Sequence, residues 1–80
     1  MEFEGFFHVQ NKVVTFSSLF FRTESKHCFA NLCAYLTSSK HSIIVYIHPD
    51  MEQDLFYSLG FEKFIKPDRF LGSVEYFFKE

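Results

Sequence analysis

The chain has 80 residues, 48% of them apolar, with 13 Phe and 4 Tyr, a formal net charge of −2 and a pI near 6.0. Its Lys and Arg residues stand scattered and form no basic stripe, which argues against a nucleic-acid partner. No apolar run approaches a membrane span, Glu2 and Glu4 do not suit a signal peptide, and Cys28 and Cys33 are too few for a disulfide framework. The expectation is a soluble, cytoplasmic protein with reduced thiols.

This length predicts one small domain, residues 1–80, which buries only about 60–65% of the surface its unfolded chain exposes. So many rings do not all fit inside, and exposed aromatics often mark a partner or self-association surface. Phe, Tyr, Met, Ile, Asn and Lys also outnumber Gly, Ala, Arg and Pro, a bias that AT-rich codons favour. Both explanations of the aromatic load stand at this point.

In chain order, Glu2–Val9 predicts a first strand with Phe3, Phe7 and Val9 on one face, and its mid-strand Gly5 suggests a bulge or an outer position. Gln10-Asn11 is a turn candidate. Lys12–Phe21 predicts a second strand, apolar on both faces and therefore an inner strand covered on both sides. In Thr23–Thr37 the period changes: Phe29, Leu32, Cys33 and Leu36 make a helical stripe, with Thr23 or Ser25 as the cap and Thr37-Ser38-Ser39-Lys40 as the close. Ser42–Ile47 predicts a third strand, whose unbroken Ile43-Ile44-Val45-Tyr46-Ile47 run suits a central parallel position.

A second helix is predicted from Pro49-Asp50, with Asp50 capping, Gln53 at the capping-box position, Met51, Leu55 and Leu59 facing inward and Gly60 as the stop. Phe61–Lys66 and Gly72–Lys79 predict two last strands joined at Pro67-Asp68-Arg69. The fold class is α/β (α+β), a mixed sheet in the order β-β-α-β-α-β-β. The acids Asp50, Glu52 and Asp54 read either as a solvated helix start or as a patch for a basic partner surface. His27, Cys28 and Cys33 do not make a metal site, because the two cysteines lie roughly 140° apart around a helix.

The element order and the segment Phe56-Tyr57-Ser58-Leu59-Gly60-Phe61 resemble the C-terminal half of the GNAT superfamily of N-acetyltransferases. The resemblance implies a half fold of that family over roughly residues 12–80. It implies a role for Tyr57 as the acid that protonates the departing thiolate of coenzyme A. It would also set Lys26 and Ala30 against the pyrophosphate of acetyl coenzyme A, at the start of the first helix. The family's signature there is rich in glycine, whereas this chain has no glycine between Gly5 and Gly60. Bare backbone amides are what bring a phosphate close, and side chains block that approach.

Three functions follow as expectations. The first is a non-catalytic GNAT-like module that binds a protein partner, without a cofactor, through Asp50, Glu52 and Asp54. Small size and AT-favoured composition suit a phage or viral regulator that inhibits a host protein. The second is a minimal N-acetyltransferase using acetyl coenzyme A with Tyr57 as acid. The third is a dimeric structural subunit whose Phe-rich strands pair across an interface.

Overall fold

A computed structural model describes residues 3–80. Strand β1 (Glu4–Gln10) turns into β2 (Val13–Phe20), and a single 3-10 turn (Thr23–Ser25) leads into helix α1 (Lys26–Ser38). Strand β3 (Ser42–Ile47), a short helix α2 (Asp54–Ser58), β4 (Glu62–Asp68) and β5 (Gly72–Lys79) follow. The sheet runs in the order β1-β2-β3-β5-β4. It is mixed: β2 and β3 are parallel, and the other neighbours are antiparallel. Among the described residues the fold is therefore a mixed five-stranded sheet with two α-helices, in the α+β class.

Local chemistry accounts for the connections. Asn11 and Lys12 both take positive φ (52° and 62°), the conformation of the tight hairpin turn whose twist matches its strands. Helix α1 closes with Lys40 N–H on the Thr37 carbonyl and His41 N–H on the Leu36 carbonyl, and Lys40 stands at φ 65° where glycine is usual. Helix α2 ends in the same way at Gly60 (φ 90°), with Phe61 N–H on the Phe56 carbonyl and their rings 5.6 Å apart.

The predicted first strand extended back to Glu2, which lies outside the described residues. Its glycine does mark a bulge. The pairing of β1 with β2 shifts between Glu4 and Phe6, and Gly5 sits at φ 127° against the β2 backbone. A Cβ there would lie 2.7 Å from the Ser17 carbonyl oxygen and 2.8 Å from that of Ser18.

Both helices cover the same face of the sheet. Val14, Phe16, Ile43, Val45 and Phe77 point into a core completed by Phe29, Cys33, Phe56 and Phe61. Phe29 is its hub, with ring contacts to Phe3, Phe16, Phe21, Phe56 and Phe61. The expectation that β2 is covered on both sides is corrected. The opposite face, carrying Thr15, Ile44, Tyr46, Tyr76 and Phe78, is only half-buried. Its rings cover one another instead: Tyr46 lies 5.8 Å from Tyr76, which stacks on Phe64 at 5.6 Å. Lys66 Nζ donates to the Tyr46 hydroxyl at 2.7 Å, a bond that holds its pKa above the ordinary lysine value.

The predicted start of the second helix is also corrected. His48-Pro49-Asp50-Met51 is a turn closed by Met51 N–H on the His48 carbonyl, and the helix begins four residues beyond Asp50. Asp50 does not cap; its own N–H donates to His48 Nδ1 at 3.1 Å. Ser25 takes the N-cap of α1, yet neither it nor Thr23 makes a side-chain capping bond. No helix among the described residues is long and apolar enough to cross a membrane.

Candidate functional site: an acid-rimmed cleft at the ends of the parallel strands

Two adjacent parallel strands, β2 and β3, deliver their carboxyl ends to one end of the sheet. In open α/β sheets ligands commonly sit beyond the carboxyl ends of such strands, among the loops that follow them. Here the chain leaves β2 through Phe21 and Arg22 into the 3-10 turn, and leaves β3 through the His48–Met51 turn. His48 N–H donates to the Leu19 carbonyl at 2.9 Å, so the two strands stay joined up to the crevice.

The crevice has a volume of about 260 Å³. Phe20, Phe21, Met51 and Leu55 form its apolar floor, and Arg22, Glu24, Asp50 and Glu52 stand at its rim. Phe21 and Met51 are buried, while the four rim residues are exposed. Three carboxylates against one guanidinium give the rim a negative balance at neutral pH. Apart from a 3.8 Å approach between His48 Nδ1 and Asp50, no ion pair satisfies these carboxylates among the described residues. An acidic rim over an apolar floor suits a cationic group on an aliphatic stem.

Sequence-predicted residues divide between this cleft and other places. Asp50 and Glu52 line it; Asp54 opens α2 and does not. Lys26 is the first residue of α1 and Ala30 lies one turn on, both half-buried and outside the lining. Tyr57 lies outside as well. Its ring, 49% exposed, meets Phe77 edge-on at 5.4 Å, on the side of the sheet end where Lys63 lies. The three residues that acetyl transfer would use are thus not gathered around the cleft.

Beside Tyr57, a smaller hollow of about 170 Å³ is lined by His48, Gln53, Lys63 and Glu75. Lys63 donates to Gln53 Oε1 at 3.0 Å and pairs with Glu75, whose hydrogen bond holds the lysine pKa above its ordinary value. A cation so engaged is a structural tie rather than a base.

The fit to a coenzyme A pyrophosphate is poor on the same geometry. At the α1 start, the Ser25 N–H is already spent on the Arg22 carbonyl at 2.8 Å. Phe29 is fully buried in the core, and the nearby carboxylates would repel a polyanion. No three His, Cys, Asp or Glu side chains among the described residues converge as metal ligands.

The sequence pattern puts Asp50 and Glu52 on a helix start and does not join them to Arg22 and Glu24. The signal was the parallel pairing itself, since two such strands bring the loops that follow them together. Comparison with known protein families, curated proteins and solved structures finds no match to this chain.

Proposed function

We propose that this chain is a non-catalytic, GNAT-like protein-binding module that receives a basic side chain of its partner in the acid-rimmed cleft. The observation that carries this reading is the cleft itself: Glu24, Asp50 and Glu52 above Phe20, Phe21 and Leu55. A lysine or arginine stem would pack on the floor while its charged head meets the carboxylates. The element order and the Phe56–Phe61 tail support the GNAT-like description. An inhibitor of a host protein, acting in an infected cell, is the role the composition suggests.

Two measurements test it. Partner capture by the wild-type chain should be lost in the Asp50→Lys/Glu52→Lys variant, whose changes are exposed and leave the core intact. Calorimetry with acetyl coenzyme A should show no binding. Saturable micromolar binding would favour the alternative, a minimal N-acetyltransferase with Tyr57 as its acid.

A further inference from the structure

The two edges of this sheet are built differently. The β4 edge carries Glu62, Lys63, Lys66, Pro67 and Asp68, the charges and proline that keep an edge from pairing. The β1 edge carries none of these from Phe6 to Gln10, and its one bulge lies at Gly5, before that run. Among the described residues no strand pairs with its outer side. Phe6, Phe7 and Val9 are 77%, 68% and 54% exposed, on the order of 400 Å² of apolar surface. Phe7 and Val9, paired with Phe16 and Val14, lie on the helix side of the sheet. There an apolar groove of about 360 Å³ runs along β1, walled by Leu32 and Leu36 of α1.

We propose that the free edge of β1 pairs antiparallel with the same edge of a second copy, His8 of one facing His8 of the other. A two-fold axis through such a pairing must set one residue opposite itself. With Phe6 on the axis, the Gly5 bulge falls inside the pairing. With Phe7 on the axis, Glu4 meets the uncharged Gln10. With His8 on the axis, Phe7 meets Val9, Phe6 meets Gln10, and Glu4 comes level with Lys12 of the other copy. This register is complementary in charge and in apolar contact, and it keeps the bulge at the margin.

The product is one continuous ten-stranded sheet whose two outer edges are both the guarded β4. Phe7 and Val9 of each copy close the groove of the other. Main-chain hydrogen bonds and the groove walls add to the ring contacts, toward the roughly 800 Å² per partner of a standard interface. No residue of the acid-rimmed cleft lines this groove, so the pairing leaves the cleft open.

The test uses the full chain with Cys28→Ser, since Cys28 is exposed while Cys33 is buried, its thiol pushed up to about 12 by burial. Sedimentation equilibrium should find a dimer. Phe7→Lys and Val9→Lys should weaken it at least about tenfold, with unchanged circular dichroism. His8→Cys should form an intermolecular disulfide on mild oxidation, because facing Cα atoms about 4.5–5.5 Å apart fall within disulfide reach. Glu4→Cys, not opposite itself, should not. A monomer at ~100 μM, above the micromolar range of typical weak interfaces, overturns the proposal. So does a dimer that resists both lysine substitutions and does not cross-link through His8→Cys.

Discussion

The Phe21 backbone N–H donates to Met51 Sδ at 3.4 Å, inside the protein. This bond ties the loop after β2 to the loop after β3 beneath the cleft. Met51 is buried there, in the turn closed on the His48 carbonyl and not in a first helical turn. Met51→Leu keeps the volume but leaves a buried N–H without an acceptor. The expected cost is about 1–3 kcal/mol, read from urea unfolding, with amide shifts concentrated at Arg22–Glu24. A neutral outcome would mean that the sulfur contact is incidental.

Phe29 is fully buried and touches five other rings. Phe29→Ala should cost about 3–5 kcal/mol. A chain this small has about 4–12 kcal/mol in all. The variant should therefore be partly or wholly unfolded near body temperature, which near-ultraviolet circular dichroism would register.

Lys40 closes α1 in a left-handed conformation that side chains disfavour. Lys40→Gly removes that strain and should raise stability by about 1 kcal/mol. For a domain of this size the melting temperature should rise by about 4–8 °C. A fall would show that the lysine side chain makes a contact outweighing its backbone cost.

Asp68 Oδ1 accepts the N–H groups of Leu71 and Phe70, both at 2.8 Å, and these bonds hold its carboxyl below the ordinary value of 3.8. A folded pKa below the unfolded one means the contribution is complete above the unfolded value. It is lost as pH falls through the folded one. The amide resonances of Phe70 and Leu71 should titrate with a midpoint below 3.8, and Asp68→Asn should abolish the transition. A midpoint at or above that value would place the carboxylate elsewhere.

Much of this fold was legible because it rests on local rules. Ser42–Ile47 announces β3 by its β-branched run, and Gly60 announces the end of α2 by the left-handed turn it allows. Two misreadings share a cause. Pro49-Asp50 has the chemistry of a helix start, but the demand of the core for Met51 overrides it. The apolar residues on both sides of β2 suggest two covered faces, but its Thr15 lies with Ile44 and Tyr46 on a face where rings and Lys66 shield one another. Half of the candidate site was legible as acids near residue 50. The other half, Arg22 and Glu24, needed strand pairing between segments almost thirty residues apart, which no local pattern encodes.

The central claim is that the cleft receives a basic group and not coenzyme A. Isotope-labelled protein titrated by nuclear magnetic resonance with a short lysine-rich peptide, and separately with coenzyme A, tests it most directly. The account predicts saturable shifts from the peptide at Arg22, Glu24, Asp50 and Glu52, abolished in Glu24→Gln/Asp50→Asn/Glu52→Gln, and no response to coenzyme A. Saturable shifts from coenzyme A across Lys26–Ala30, with the peptide silent at the cleft, would contradict it.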